Sequence, residues 1–258
     1  MTRIAIAAAM VAALAPVAVG AQRGTGSAPA AAPAAEPAPR MADGHPDVSG
    51  VWWTGGDVGG RGFRVGGRGA GPAPATYTGL LTPAAAAAAK KMNDNNDPTL
   101  RCIPTAFGTL NVSMFDVGAL GQIVATPKFV VLLTETYHGF KLIPTDGRPH
   151  RAEVPPSYRG DSVGRWDGDV FVVETKNFTD DTWIWAEGRA SPHSDEMSVV
   201  ERYRRVDRNT LEIEATISDP KMLTKPWTVP KQTLTLAPFD QIMPLICSSL
   251  DDSIERGR

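Results

Sequence analysis

The sequence lacks every complete motif that would name a reaction. It contains no H-E-x-x-H or H-x-H pair, no P-loop, no nucleophile elbow and no glycine-rich dinucleotide fingerprint. Histidine occurs only four times and cysteine twice, and the formal net charge is −2. A nearly neutral chain gives no electrostatic reason to bind a polyanion, so we expect no nucleic-acid partner. No motif calls for a cofactor either, and we expect none.

The first 21 residues have the pattern of a secretory signal peptide. Arg3 precedes an apolar run that extends from Ile4 to about Val19, and the small residues Gly20 and Ala21 follow. This pattern predicts cleavage after Ala21, periplasmic or secreted localisation, and no stable membrane insertion after cleavage. The alternative is an uncleaved anchor, because the run approaches the length of a short membrane span.

Two biased segments flank the start of the predicted domain. Residues 22–42 are mostly Ala, Pro, Gly and Ser, a composition that cannot offset the entropy of ordering, and we interpret them as a disordered tether. Residues 43–258 then form a single β domain, with a Gly/Arg-rich surface loop at 55–75. No repeat of 20 to 50 residues divides this domain.

Short runs rich in β-branched and aromatic residues recur from residue 122 onward. Turn residues separate them, which predicts an all-β, antiparallel meander closed into a lipocalin-like barrel of about nine or ten strands. A two-sheet β-sandwich is the alternative. Only 82–92 predicts a helix, with Thr82 as N-cap and Pro83 at the first helical position. The predicted strands are 122–125, 129–135, 140–144, 163–166, 170–175, 198–206, 210–218 and 228–236.

The most informative segment is 161–178, where Asp167-Gly168 separates two strand-like runs. An Asp-Gly pair between such runs is a strong signal for a β-hairpin. The run 198–205 differs from its neighbours because both of its faces mix polar and apolar groups. Val199, Glu201 and Tyr203 share one face, and a strand of this kind often lines a polar cavity.

Several motifs of the chain resemble a family of exported bacterial proteins. They include Asp47 to Trp52, the D-G-R-P-H run that begins at Asp146, and the D-S-x-G-x-W-x-G-D run that begins at Asp161. The resemblance covers Asp43 to about Cys247 and implies export without implying an activity.

Members of that family often have His where this chain has Ser198. A second resemblance, to lipocalin-type barrels, depends on the tripeptide Gly50-Val51-Trp52. It implies that a basic residue, Arg202 or Arg204, covers the indole of Trp52.

Charged residues provide the candidates for catalysis. Carboxylates within apolar strands need partners, and burial can separate the pKa values of a pair so that one acts as acid and the other as base. The alternative is a structural network of ion pairs. The candidate catalytic residues are Arg148, Asp161, Arg165, Glu174 and Glu201.

A second set of residues is typical of a ligand pocket, because aromatic rings stand beside amide, carboxylate and imidazole groups. Such a rim suits an aromatic or glycosidic ligand, while a well-packed loop is the alternative. A metal site built on His138, His150 and His193 is a third hypothesis, although no ligand spacing supports it. The candidate ligand-binding residues are His138, Asn177, Asp180, Trp183 and His193.

These features together predict an exported β-barrel that binds a small molecule. We expect cofactor-free acid/base chemistry, such as hydrolysis, elimination or isomerisation, on a small polar substrate. The alternatives are a non-catalytic envelope or ligand-binding protein and a metal-dependent enzyme. No feature of the sequence sets an oligomeric state.

The two cysteines, Cys102 and Cys247, predict a disulfide that closes nearly the whole domain, with two free thiols as the alternative. The exported, non-reduced protein should therefore be lighter than the reduced protein by the mass of two hydrogens. Intact mass spectrometry before and after reduction makes the comparison. Equal masses would show that both thiols are free.

Overall fold

The structure, a computed structural model, describes residues 36–53, 76–106, 121–135, 139–186 and 189–243. All of them belong to one compact unit, Ala35–Arg258. The predicted signal peptide and the 55–75 loop lie outside the described residues, as does most of the tether. In the described ranges, no helix combines the length and the apolar character that crossing a bilayer requires.

Strands dominate the described residues, with one α-helix, α1, at Pro83–Ala89 and three short 3₁₀ turns. This confirms the predicted all-β class. The strands are β1 (Gly50–Trp53), β2 (Gly121–Ala125), β3 (Phe129–Thr134), β4 (Phe140–Pro144), β5 (Asp161–Asp167), β6 (Val170–Lys176), β7 (Ile184–Ala186), β8 (Arg189–Ser191), β9 (Ser198–Arg205), β10 (Thr210–Ser218) and β11 (Trp227–Leu236).

Nine of these strands form one antiparallel sheet in the order β4-β3-β2-β1-β11-β10-β9-β6-β5. The sheet is nearly closed into a barrel, as predicted, and only β7 and β8 form a separate hairpin. Its two end strands, β4 and β5, meet at an isolated bridge between Asp146 and Arg165. Beside it, the Gly147 amide donates to the Gly164 carbonyl at 3.0 Å. We call this join the β4–β5 seam.

The predicted hairpin is confirmed in β5 and β6, with its turn one residue further along the chain. Asp167 pairs with Val170, so the two loop residues are Gly168 and Asp169. Gly168 has a φ of 58°. The glycine therefore takes the loop position with positive φ, which other residues rarely adopt, and Asp167 completes the strand.

Alternation along the strands divides the barrel wall into an inner and an outer face. Val199, Glu201, Tyr203 and Arg205 of β9 are buried, which confirms the predicted shared face. The apolar interior forms two clusters. We call the one that contains Val199, Phe178 and Trp227 the first apolar cluster. The second apolar cluster contains Tyr203, Trp52 and Phe171.

The helix α1 is shorter than the predicted segment 82–92. Thr82 is its N-cap, with its hydroxyl accepting from the Ala85 amide at 3.3 Å, and Pro83 is its first residue. The helix ends at Ala89, and Lys90 is its C-cap. Just before it, Leu80 packs in the first apolar cluster, and Leu81 bridges Leu223. The residues just before the helix therefore pack against the barrel core.

The short strand β1 is held by a cation over an indole. The guanidinium of Arg205 lies 4.9 Å from the ring centroid of Trp52. The same group donates to the carbonyls of Asp47 and Ser49. The basic residue over Trp52 is thus Arg205, whereas Arg202 and Arg204 face outward, where they pair with Asp167 and Glu212. The expected residues, Arg202 and Arg204, have even numbers, whereas the side chains of β9 that point inward belong to odd-numbered residues.

Cys102 ends the 3₁₀ turn Pro98–Arg101 with a φ of 61°. Cys247 lies outside the described residues, so the Cys102–Cys247 disulfide stays a prediction.

Replacing Arg205 with Ala should destabilise the fold by about 3 kcal/mol, because two partly buried carbonyls lose a charged donor and Trp52 loses its cation. Arg204→Ala is the matched control, since it removes the neighbouring guanidinium on the exposed face, where ion pairs contribute at most about 1 kcal/mol. Urea unfolding of both variants measures the difference. Equal losses would show that Arg205 does not anchor β1.

Candidate functional site

A group of polar side chains lies inside the barrel between the two apolar clusters. On β9, Val199 belongs to the first cluster and Tyr203 to the second, and Glu201 lies between them. Because same-face residues on a strand are about 7 Å apart, the polar groups occupy a layer of their own. This interior polar layer consists of Lys141, Ser162, Thr175, Glu201 and the hydroxyl of Tyr203, all of them buried.

Glu201 is the central carboxylate of the layer and is only 1% exposed. The hydroxyl of Tyr203 donates to its Oε1 at 2.9 Å. Its other oxygen, Oε2, has no hydrogen-bond partner among the residues described. A buried carboxylate oxygen without a donor costs free energy, so Oε2 is suited either to carry a proton or to accept one from a bound molecule.

Lys141 approaches this carboxylate from β4, across the β4–β5 seam. Its Nζ lies 4.0 Å from Glu201 Oε2, a distance too long for a hydrogen bond. Nζ donates to Thr175 Oγ1 at 3.4 Å, which is at the weak limit of such a bond. An ammonium has three donors to satisfy, and these contacts leave a protonated Lys141 poorly solvated.

Two hydroxyls complete the layer beside Lys141. Ser162 Oγ lies 2.8 Å from Thr175 Oγ1, and either group can donate. Thr175 therefore connects Lys141 of β4 to Ser162 of β5. Hydroxyls that both donate and accept can orient a polar ligand or pass a proton along this line.

Arg159 extends the positive charge from Lys141 toward the outside. Its Nη2 donates to Thr134 Oγ1 at 3.4 Å. The guanidinium lies against Gly139, where a Cβ would stand only 2.1 Å from Nη2. A side chain at position 139 would displace the guanidinium, so this glycine permits the close approach. Arg159 is half-buried.

Burial moves the pKa values of the buried acid and amine toward each other. Desolvation raises the pKa of Glu201, against the opposing effects of Lys141 and Tyr203. Desolvation also lowers the pKa of Lys141, which the charge of Glu201 opposes and the charge of Arg159 reinforces. Burial and the neighbouring Glu201 raise the pKa of Tyr203 well above its usual value, so its hydroxyl stays a donor.

An amine and a carboxyl group with converging pKa values are a chemical acid/base pair. The neutral amine offers a lone pair, and the carboxylic acid offers a proton in a site with little water. The hydroxyls of Ser162 and Thr175 add further positions for hydrogen bonds. The layer can thus bind a small polar molecule and exchange protons with it.

A second cluster, on the outer face of β5 and β6, includes two of the predicted catalytic carboxylates. His150 Nδ1 lies 3.1 Å from Asp161 Oδ2, and because a carboxylate only accepts, Nδ1 carries the hydrogen. Arg151 donates to Asp161 Oδ1 at 2.8 Å. On the other side of the ring, His150 Nε2 lies 3.9 Å from Glu174 Oε2.

This arrangement, the His150 cluster, orients an imidazole as an Asp–His pair does in acid/base catalysis. However, Lys176 forms an ion pair with Glu174, and Arg151 forms one with Asp161, so both carboxylates already have cationic partners. Burial tends to raise the pKa of Asp161, but hydrogen bonds from Arg151 and His150 outweigh it and lower the pKa. Both carboxylates are thus neutralised by cations, while His150 Nε2 has no hydrogen-bond partner among the described residues.

The two arginines among the predicted catalytic residues lie on the surface. Arg148 forms an ion pair with Asp146, and its hydrogen bond lowers the pKa of that exposed carboxyl to about 2. Arg165 is exposed, and its charge contributes to lowering the pKa of Glu174, after the larger effects of Lys176 and His150. Neither arginine is in the interior polar layer, where Glu201 alone represents the predicted catalytic set.

The predicted ligand-binding residues do not share one environment. His138 lies outside the described residues. Asn177 has a φ of 62° and donates to the Val154 carbonyl at 2.8 Å. Asp180 is exposed, and Trp183 is half-buried with its carbonyl accepting from Ala106.

The remaining member of that set, His193, is buried beside Phe178 in the first apolar cluster. Its Nδ1 donates to the Ser194 carbonyl at 3.2 Å, and desolvation lowers its pKa. The described residues contain no group of three or more His, Cys, Asp or Glu side chains placed to hold a metal ion.

Sequence reasoning missed Lys141, Ser162 and Thr175. Lys141 alternates with Phe140 and Leu142, a pattern that indicates apolar residues inside and lysine outside. The structure has the reverse orientation, with Phe140 and Leu142 65% and 56% exposed. Ile143 could have indicated the correct orientation, because this apolar residue is two positions from Lys141 and so lies on the same face. It is fully buried.

No family model, curated protein or solved structure matched the chain in comparisons. Inference about function therefore depends on the geometry of the side chains.

Asp161→Asn should destabilise the fold by about 2 to 3 kcal/mol at neutral pH, because the charge-assisted hydrogen bonds from Arg151 and His150 to the buried carboxylate are weakened or lost. Ionised Asp161 stabilises the protein above the ordinary aspartate pKa of about 3.9, and this contribution is lost as pH falls through the lower folded-state pKa. The difference between wild type and variant should therefore shrink in acid. Urea unfolding at several pH values measures it.

The exposed Asp146→Asn is the control and should cost much less at neutral pH. Equal losses in the two variants would contradict a structural role for the His150 cluster.

Proposed function

We propose that this protein binds a small polar organic molecule inside its barrel and acts on it by acid/base chemistry. Glu201 and Lys141 are the groups that exchange protons, and Ser162 and Thr175 orient the ligand. No cofactor enters the proposed reaction. Of the predicted catalytic residues, only Glu201 retains that role in the proposal.

The observation that carries the proposal is the unsatisfied Oε2 of Glu201 beside the poorly solvated amine of Lys141. A structural barrel core is filled by apolar side chains, and an ionisable pair in it costs desolvation free energy. Strongly perturbed pKa values within one buried cluster are typical of functional sites.

The competing explanation is an internal ion pair that only stabilises the fold. Such a pair needs close contact and hydrogen bonds to every remaining lone pair and proton. The 4.0 Å separation and the unpartnered oxygen do not meet that need. In the His150 cluster, by contrast, both carboxylates are paired to cations at short distance, as a structural ion pair requires.

The proposal also places the protein outside the cytoplasm, supported by the signal-peptide pattern of the first 21 residues. A small exported barrel would meet its ligand in the periplasm or the medium.

A double variant, Glu201→Leu with Lys141→Met, separates function from stability. Replacing a buried ion pair by apolar residues of similar size is often neutral or stabilising by about 1 to 4 kcal/mol. We expect the double variant to be at least as stable as wild type in urea. We also expect native mass spectrometry to detect a bound small molecule on wild type purified from the periplasm and none on the double variant.

The matched control is Glu212→Leu with Lys231→Met, which removes a surface ion pair of 2.9 Å on β10 and β11. It should retain the bound molecule. A double interior variant that loses more than about 2 kcal/mol and binds as wild type does would show that the layer is structural.

A further inference from the structure

The Lys141 amine is positioned as a nucleophile as well as a proton acceptor. Among the described residues its hydrogen-bond partner is Thr175, at 3.4 Å. That single weak acceptor suits a neutral amine, which has a lone pair to offer, better than an ammonium, which has three protons to place. A desolvated lysine amine in an apolar setting is the form that attacks carbonyl carbons.

Glu201 lies where such a reaction needs a proton carrier. Its Oε2 is 4.0 Å from Lys141 Nζ, within reach of an atom bonded to that nitrogen. Tyr203 holds the other carboxyl oxygen at 2.9 Å and so fixes the orientation of the group. The carboxyl group therefore presents Oε2 to the amine rather than turning away.

Arg159 indicates the charge of the substrate. Its guanidinium lies against Gly139, two residues before Lys141 in the chain. Its charge acts to lower the pKa of Lys141. A guanidinium near the reacting amine favours a molecule that carries an acidic group.

We propose that Lys141 forms a Schiff base with a small aldehyde or ketone that carries a carboxylate, and that Glu201 transfers the protons of this step. The inference depends on the proposed interior site and names its substrate class.

The step balances with these groups alone. The Lys141 lone pair bonds to the carbonyl carbon, and the carbonyl oxygen takes the proton of the Glu201 carboxylic acid. Glu201 then removes one proton from the nitrogen and passes it to the hydroxyl, which leaves as water. The nitrogen lone pair closes the C=N bond, which leaves a protonated Schiff base beside the Glu201 carboxylate. No oxidant or reductant takes part.

Trapping with a hydride donor tests the inference directly. The full-length exported protein is incubated with glyoxylate and sodium cyanoborohydride, which reduces a Schiff base to a stable amine. Intact mass spectrometry should show one reduced glyoxylate adduct, and peptide mapping should place it on Lys141. Acetaldehyde, which lacks the carboxylate, should label this position about tenfold more slowly, as expected from the loss of one ion pair to Arg159.

Three variants make the test specific. Lys141→Met should abolish the adduct, and Glu201→Gln should slow its formation about 100-fold, as expected for loss of a proton carrier. Lys231→Met, which removes a half-exposed surface amine, should label as wild type does. The localisation of the adduct in wild type does not depend on the folding of any variant.

Two results would overturn the inference: label spread over surface lysines with Lys141 unmodified, or equal labelling rates for Glu201→Gln and wild type. If the co-purified molecule is present on wild type and absent from the interior double variant while Lys141 stays unlabelled, interior binding stands and the Schiff base is wrong. If binding and labelling both fail, the proposed function is wrong as well.

Discussion

The anchoring of β1 by Arg205 is the interaction on which the rest of the barrel depends. This strand has four residues and pairs with β2 on one side and β11 on the other. It is the join between the first sheet segment, β2 to β4, and the segment from β5 to β11. The guanidinium of Arg205 holds the start of β1 by two carbonyls and by the face of Trp52.

The association of the two sheet segments through β1 also creates the candidate site. Lys141 belongs to the first segment of the sheet, while Ser162, Thr175 and Glu201 belong to the second. Only after the segments associate does the amine lie near the carboxylate. The desolvation of both groups is therefore a cost of bringing the two segments together, because the closed wall excludes water from the interior. The apolar clusters on either side must offset this cost.

Most of the fold was predictable from the sequence, because a barrel strand alternates between core and solvent. Thr210–Ser218 shows this alternation clearly, and its predicted bounds agree with β10. The hairpin of β5 and β6 was predictable from its glycine turn. By contrast, β1 is too short and too close to glycine-rich sequence for a pattern to develop.

The site was predictable only in part. Glu201 was identifiable because a carboxylate within an apolar run is buried only where a partner or a function compensates its desolvation. Lys141 was hidden by its exposed apolar neighbours, since Phe140 and Leu142 gave β4 a misleading periodicity. Partners from distant strands depend on register and closure, which no local pattern encodes. His150 and Asp161 illustrate the same limit, because a loop outside the strand pattern brings the imidazole to β5.

The β4–β5 seam gives the barrel a preferred place to open. The strands β1 and β11 share two residue pairs and the other neighbouring strands of the wall share three or more, whereas β4 and β5 are joined by one bridge. Joins with few backbone hydrogen bonds separate at the lowest free energy. Lys141 lies on β4, on one side of this seam, and Ser162 lies on β5, on the other side. If the proposed ligand enters the barrel, opening of this seam is the motion that would admit it, and a ligand bound to both strands would hold the seam closed.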